Sequence, residues 1–146
     1  MLDVNNLMRG NLIMTKDGVI EIGKIHRESI ADKWGSIYFD NEIEGIEVTE
    51  EILRKIGFSK QEQMGVFELV HFFRYWDKDY RYKLDVHGGP NNSGRKWYVH
   101  IDNGDCCTIG CGEFDYVHEL QNLVRINCKE DLPITKEVFD GLGNDA

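Results

Sequence analysis

The chain has 146 residues, which is enough for one domain with a hydrophobic core and too few for two. Hydrophobic residues make up 41% and aromatic residues 11% of it, which excludes a disordered chain. The net charge of −9 argues against general nucleic-acid binding, because that needs an excess of lysine and arginine. We therefore expect a single domain over residues 1–146.

The negative charge is concentrated in one part of the chain. Residues 28–51 contain eight acidic residues and one lysine, whereas residues 1–27 and 52–146 have net charges of +1 and −3. We call residues 28–51 the acidic segment. Such a segment on an otherwise nearly neutral chain is a candidate surface for a protein partner.

Residues from about 7 to 48 are predicted to form a small curled β unit. Two apolar-rich runs, residues 8–14 and 19–25, flank an Asp17-Gly18 turn, and this pattern is typical of a β-hairpin. Shorter strands are predicted at residues 36–40 and 45–48.

A helix is predicted from about residue 49 to residue 57. Thr49 is a favourable N-cap and two acidic residues follow it, where the helix dipole favours negative charge. Gly57 suits the left-handed conformation that ends many helices. The expected buried stripe consists of Ile52, Leu53 and Ile56.

A β-meander is predicted from about residue 64 to residue 110. Residues 64–76 fit helical spacing, but their β-branched and aromatic content favours a strand. Apolar residues then alternate with polar ones at Tyr80, Tyr82, Leu84 and Val86. After a loop at residues 88–94, a hairpin is expected at residues 96–102 and 105–110 about Asn103-Gly104.

A second helix is predicted from about residue 115 to residue 127, followed by an acidic tail at residues 129–146. Its apolar face is Tyr116, Val117, Leu120, Leu123 and Val124. Antiparallel strands in two groups, an N-terminal curled β unit and a C-terminal meander, each followed by a helix, place the chain in the α+β class.

The opposite face of the second helix contains the candidate partner-binding residues. They are His118, Gln121, Asn122 and Arg125. Their side chains can hydrogen-bond a partner, and the alternative is a solvated or intramolecular role, which is the default for a polar helix face.

The cysteines do not predict a metal site. Cys107 and Cys111 form one C-x₃-C pair without a second, and neighbouring residues Cys106 and Cys107 would point to opposite faces of a strand. A two-residue turn would place His100 opposite Cys107, a possible base and thiolate nucleophile, although a packed cross-strand pair is the simpler interpretation. We predict no metal, no cofactor and no catalytic residue.

A locally basic region makes single-stranded nucleic acid an alternative partner. Residues 74–96 include Arg74, Lys78, Arg95 and Lys96 among aromatic residues. However, Tyr80 and Tyr82 are expected on one strand face and Arg81 and Lys83 on the other, so base stacking and phosphate contacts would not coincide. Nucleic acid is the less favoured partner.

The N-terminal residues lack a secretory signal pattern, and no apolar run is long enough to span a membrane. With adjacent cysteines in a chain that carries no export signal, we expect reduced thiols, a cytoplasmic location and no membrane association.

Three short motifs resemble a group of uncharacterised small proteins from prophages and conjugative elements of gut anaerobic bacteria. These are Arg9-Gly10-Asn11, residues 53–58 (LRKIGF) and residues 116–123 (YVHELQNL, of the form Y-V-H-x-L-Q-N-L). The resemblance covers about residues 7–127. It implies a cytoplasmic accessory protein of a mobile element and no particular activity. The 88–94 loop and the Cys106-Cys107 pair depart from the group, so these cysteines are not a site common to it.

The sequence favours a non-enzymatic protein-interaction module that uses the acidic segment or the His118 helix face. The alternatives are a weak single-stranded nucleic-acid binder through residues 74–96 and a small enzyme with a His/Cys pair. The sequence leaves the partner and the oligomeric state open.

Overall fold

The computed structural model describes residues 2–67, 69–89, 96–102 and 108–140, and for residues 108–111 the backbone alone. Within these residues the fold consists of two five-stranded antiparallel sheets, two α-helices and short 3₁₀ turns. The predicted α+β class is confirmed, because each group of strands is followed by one helix.

The N-terminal sheet curls so that its last strand returns to its first. Its strands are β1 (Leu12–Thr15), β2 (Gly18–Ile25), β3 (Ser29–Asp32), β4 (Ile37–Phe39) and β5 (Ile43–Glu44), in the order β4-β3-β2-β1-β5. The predicted hairpin is confirmed, since Thr15 pairs with Gly18 across the turn. The sequence did not predict β3, a four-residue strand between charged turns.

The predicted strand at residues 45–48 does not join this sheet. Instead, Glu47 forms an isolated bridge with Tyr116. The N–H of Val48 donates to the carbonyl of Asp115, and the N–H of Val117 donates to the carbonyl of Ile46. These hydrogen bonds therefore attach the C-terminal part of the acidic segment to the start of the second helix.

The first helix, α1 (Glu50–Ile56), confirms its predicted caps and its buried stripe. The hydroxyl oxygen of Thr49 accepts a hydrogen bond from the N–H of Ile52 at 3.2 Å. Gly57 ends the helix with φ of 124°. The three stripe residues, Ile52, Leu53 and Ile56, are all buried.

The C-terminal sheet is a meander in chain order. Its strands are β6 (Ser59–Met64), β7 (Leu69–Trp76), β8 (Lys83–Gly88), β9 (Trp97–Asp102) and β10 (Thr108–Phe114). The strand assignment is confirmed for Leu69–Trp76. The sequence missed β6 because this edge strand is polar on both faces and therefore shows no alternation.

The prediction that Tyr80 and Tyr82 share one strand face is wrong. Tyr80 lies in a turn with φ of 57° and is 72% exposed, whereas Tyr82 is buried. The strand begins only at Lys83, and the predicted alternation holds from there, with Leu84 and Val86 fully buried.

The second helix, α2 (Val117–Cys128), packs against β10, β9 and β1. The larger of two hydrophobic cores lies between α1, α2 and the C-terminal sheet, and the smaller lies within the N-terminal sheet. β1 contributes to both, because Leu12 is buried in the larger core and its neighbour Ile13 in the smaller. The predicted acidic tail also adds to the larger core through Leu132, Ile134 and Phe139.

Candidate interaction site

The polar face of α2 contacts the beginning of the chain. The side-chain oxygen of Gln121 accepts from the N–H of Leu12 at 2.9 Å, and its nitrogen donates to the carbonyl of Gly10 at 3.3 Å. Both the oxygen and the nitrogen of the Gln121 amide therefore form hydrogen bonds within the protein. This agrees with the intramolecular role that the sequence analysis gave as the alternative for this helix face.

Asn122 and Arg125 bind the same N-terminal stretch. The oxygen of Asn122 accepts from the Asn11 side chain at 2.8 Å, and its nitrogen donates to the carbonyl of Asn6 at 3.2 Å. The Arg125 guanidinium donates to the carbonyl of Arg9 at 2.6 Å. The structure thus places three of the four predicted site residues together, as clamps on residues 6–12.

The fourth predicted residue, His118, lies apart from them in the interior. It is 4% exposed, and its ring stacks on Tyr116 with the centroids 5.7 Å apart. Among the described residues its Nδ1 has no hydrogen-bond partner. Burial lowers the pKa of His118, while the carboxylate of Glu119 acts in the opposite direction. The neutral imidazole is accordingly the form that the fold accommodates.

A cleft of about 320 Å³ adjoins the clamps. Its lining includes Gln121, Arg125, Glu21, Asp131 and Thr135. The Arg125 guanidinium also donates to Asp131 at 2.7 Å, so its charge is neutralised at the rim. The cleft therefore offers few free donors to a ligand.

Four of the five described cations of the 74–96 region lie against carboxylates, and Lys78 is the exception. Arg74 forms a two-pronged pair with Asp85 at 2.7 and 3.1 Å. Arg81 binds Asp77 and Glu130, and Lys96 lies 3.2 Å from Asp115. Such pairing removes positive charge that phosphate groups would require, so it weakens the case for a nucleic-acid interface. Arg95 is outside the described residues.

The hypothesised His100–Cys107 pair is not supported by the strand register. His100 pairs with Cys111, and Asp102 pairs with Thr108, so the connection is longer than the predicted two-residue turn. Cys106 and Cys107 themselves lie outside the described residues. In the part of the chain that is described, no three His, Cys, Asp or Glu residues converge as a metal site requires.

The most exposed apolar side chains of the N-terminal sheet belong to the acidic segment. Trp34 is 78% exposed, Ile37 57% and Phe39 55%. Ile37 and Phe39 project from the same face of β4, and Trp34 lies in the turn before that strand. We call these three residues the acidic-apolar face, and neither their exposure nor the shared orientation of Ile37 and Phe39 was predicted from the sequence.

Three hydrogen bonds set the orientation of this face. Between Ile37 and Phe39, the Tyr38 side chain points inward and its hydroxyl donates to Asp17 at 2.9 Å. That hydrogen bond raises the pKa of Tyr38. The Asp32 carboxylate accepts from the N–H groups of Trp34 and Ser36, both at 2.9 Å, which orders the turn. With Tyr38 fixed inward, its neighbours must face solvent.

Two acidic residues flank the acidic-apolar face at its Phe39 end. The N–H of Asp40 donates to the carbonyl of Glu28 at 3.2 Å, which brings these two acidic residues together next to Phe39. Within the described residues, neither carboxylate forms an ion pair. At the other end, Lys33 lies 5.1 Å above the Trp34 ring.

A second cleft opens beside Trp34. Its volume is about 240 Å³, and its lining includes Ile20, Asp32, Thr135 and Lys136. This cleft extends the acidic-apolar face towards the C-terminal tail and gives it a concave region. Concave, mixed polar and apolar surfaces of this kind are where partner side chains insert.

No protein-family model, curated protein or solved structure matches this chain. In the described part of the chain, no helix has the length and apolar character needed to cross a bilayer.

Proposed function

We propose that the protein is a non-enzymatic interaction module that acts in the cytoplasm as an accessory factor of a mobile element. Its docking site is the acidic-apolar face, and its partner is a protein segment that combines basic and apolar side chains. The observation that carries this proposal is the exposure of Trp34, Ile37 and Phe39 within the acidic segment. Exposed clusters of large apolar residues commonly mark interaction sites.

The residue types of the face suit a protein partner. Tryptophan and phenylalanine are enriched at the centres of protein interfaces, where they provide much of the binding energy. The neighbouring carboxylates of Glu28 and Asp40 would attract basic side chains and orient them around the apolar centre. The apolar centre would provide binding affinity for the partner, and the carboxylates beside it would select partners that carry positive charge.

The backbone of β4 favours an extended partner. The N–H of Asp32 donates to the carbonyl of Ser36, and the N–H of Asp40 donates to that of Glu28. Ser36 and Asp40, which flank β4, therefore bond to β3 and its preceding residue, and the backbone groups of Ile37, which lies between them, point away from β3. An extended segment could pair with them by strand addition.

The proposal is tested with synthetic peptides of about twelve residues, long enough to form a strand. One peptide alternates lysine with leucine, and its control has glutamate in place of lysine. Amide chemical shifts of the full chain are recorded during titration. We expect the basic peptide to shift residues 31–40, and the shifts to weaken between about 50 and 300 mM salt because screening reduces charge attraction.

Matched variants separate the face from the rest of the surface. Phe39→Ser is expected to weaken binding of the basic peptide about tenfold, since it removes one apolar anchor. Ile126→Ser replaces a residue of similar exposure on α2 and should leave binding unchanged. Equal binding of both peptides, no binding of either, or no effect of Phe39→Ser would contradict the proposal.

A further inference from the structure

β6 is an edge strand with one free side. It pairs with β7 from Ser59↔Arg74 to Met64↔Leu69 and ends the order of the C-terminal sheet. Five of its six residues are exposed, and Gln61 is half-buried. The backbone groups on the free side have no partner within the described residues. An edge of this kind can accept another strand.

The sequence of β6 is complementary to itself. If a second copy pairs antiparallel about Gln61, Lys60 lies opposite Glu62 of that copy, and Glu62 lies opposite its Lys60. Directly opposed residues project to the same face, so both pairs join opposite charges. Lysine on an edge strand ordinarily discourages pairing, but in this register each lysine has a carboxylate partner.

The surroundings of Glu62 are compatible with this pairing. Its carboxylate lies 3.5 Å from the Nδ1 of His71 on the neighbouring strand, and the side chain is 62% exposed. Lys60 lies 6.0 Å from the Phe73 ring on the same face. Glu62 can therefore turn towards a second copy without leaving His71 as a buried, unpaired group, because His71 is itself exposed. Lys60 gives up only a contact with the Phe73 ring.

The hairpin of β6 and β7 also carries an exposed apolar end. Among the described residues β7 pairs with β8 only from Phe73 to Trp76, so within them the earlier part of the hairpin extends beyond β8 as a two-stranded arm. The arm ends in large exposed side chains: Met64 (74%), Val66 (90%), Phe67 (98%) and Leu69 (52%). An exposed apolar surface of this kind commonly marks a site that another protein surface covers.

Pairing about Gln61 would cover this apolar end with the second copy. In that register Met64 of one copy lies opposite Phe58 of the other, next to the end of the other copy's α1. Met64 and Leu69 are on the same face of the hairpin as Phe73. Arg54 of α1 lies over the Phe73 ring, so α1 is on this face as well. The arm of each copy would thus pack beside α1 of the other.

We propose that the protein forms a two-fold symmetric dimer through β6, with one continuous ten-stranded sheet. The partner of this surface is a second copy of the chain, identified by the reciprocal Lys60–Glu62 pairs and by the apolar arm. This surface belongs to the C-terminal sheet and the acidic-apolar face to the N-terminal sheet, so the dimer does not depend on the proposed function.

Charge exchange tests the pairing in the full-length protein. Sedimentation equilibrium should give a dimer whose dissociation constant rises about tenfold in Lys60→Glu, because both symmetry-related pairs become repulsive. Glu62→Lys should have a similar effect. The double variant Lys60→Glu/Glu62→Lys should restore the dimer, a result that loss of folding would not produce. A monomeric wild-type protein, or a double variant as weak as the single ones, would overturn the proposal.

Cross-linking tests the register. Gln61→Cys places two thiols opposite each other at the two-fold axis, whereas Gln63→Cys places its thiol opposite Ser59 of the second copy. Under mild oxidation, and relative to wild type, Gln61→Cys should form a disulfide-linked dimer and Gln63→Cys should not. Equal cross-linking of the two variants, or none by Gln61→Cys, would refute the register.

Discussion

The side-chain oxygen of Gln121 accepts a hydrogen bond from the backbone N–H of Leu12 at 2.9 Å. β5 pairs with β1 only at Met14 and Thr15, so in the described part of the chain no strand neighbour reaches Leu12 on that side. A glutamine of α2 takes the place of the missing strand. Through this bond the second helix, which follows the C-terminal sheet, completes the edge of the N-terminal sheet.

Gln121→Ala should therefore destabilise the whole domain. It leaves the N–H of the fully buried Leu12 unpaired, which costs about 1–3 kcal/mol. Urea denaturation gives the free energy of unfolding. The control, Ile126→Ala, changes an exposed residue of the same helix and should cost less than about 0.5 kcal/mol. Equal stability of Gln121→Ala and wild type would show that the bond contributes nothing.

His118 should make the protein less stable in mild acid. Burial lowers its pKa in the folded state, whereas the unfolded chain binds a proton near the ordinary value of about 6.5. The stability from neutral His118 is thus fully present above about pH 6.5 and is lost as the pH falls through the lower folded pKa. His87, whose pKa is also lowered by burial and by His100, adds to this dependence.

His118→Phe keeps a ring that can stack on Tyr116 and removes the titrating group. Its free energy of unfolding should fall less than that of wild type between about pH 7.5 and 5.5, measured by urea denaturation. Ile126→Ser, a change at an exposed residue of the same helix that does not titrate, should retain the wild-type dependence. The prediction fails if His118→Phe and wild type lose the same stability over this range.

Asp77 should stabilise the turn before β8. Its buried carboxylate accepts from the Arg81 side chain at 2.9 Å and from the N–H of Asp79 at 3.3 Å. The hydrogen bond from Arg81 holds the pKa of Asp77 below its ordinary value. Its contribution to stability is therefore present above about pH 3.9, the unfolded pKa, and is lost as the pH falls through the folded one.

Asp77→Asn is expected to cost about 1–3 kcal/mol at neutral pH, since a charge-assisted hydrogen bond becomes a neutral one. Thermal or urea unfolding measures this loss. Asp79→Asn provides the control, because Asp79 lies 3.7 Å from the same guanidinium but is largely exposed, and it should cost less than about 1 kcal/mol. Similar losses in the two variants would argue against a special role for Asp77.

Trp97 should connect the C-terminal sheet to the acidic segment. Its buried indole N–H donates to the carbonyl of Val48 at 3.0 Å. Trp97→Phe loses this bond and leaves a cavity, with an expected cost of about 2–4 kcal/mol in urea denaturation. Trp76→Phe, at a half-exposed tryptophan, should cost under about 1 kcal/mol. A result in which Trp76→Phe is the more damaging change would contradict this assignment.

Elements with strong local signals were predicted well. The Asp17-Gly18 hairpin and the Thr49 and Gly57 caps depend on residues that are neighbours in the chain, so their patterns are visible in the sequence. β6 shows the limit of such patterns. Its residues are polar on both faces, and it is a strand only because β7 pairs with it.

The candidate site was predicted less completely. The acidic segment was recognised from its charge, but residues 37–39 are all apolar, and their order does not reveal which side chain points inward. The hydrogen bond from Tyr38 to Asp17, 21 residues away, decides this. The polar side chains of α2 were recognised as hydrogen-bonding groups, and their partners at residues 6–12 became visible only in the folded chain.

The sequence by itself determined the α+β class, the positions of both helices and the concentration of negative charge in residues 28–51, because propensity, capping and charge are properties of neighbouring residues. Only the tertiary structure decided that Gln121 binds Leu12, that Trp34, Ile37 and Phe39 face solvent, and that β6 has a free edge. These features depend on contacts between residues far apart in the chain, whose free energies exist only when packing brings the groups within hydrogen-bonding or van der Waals distance.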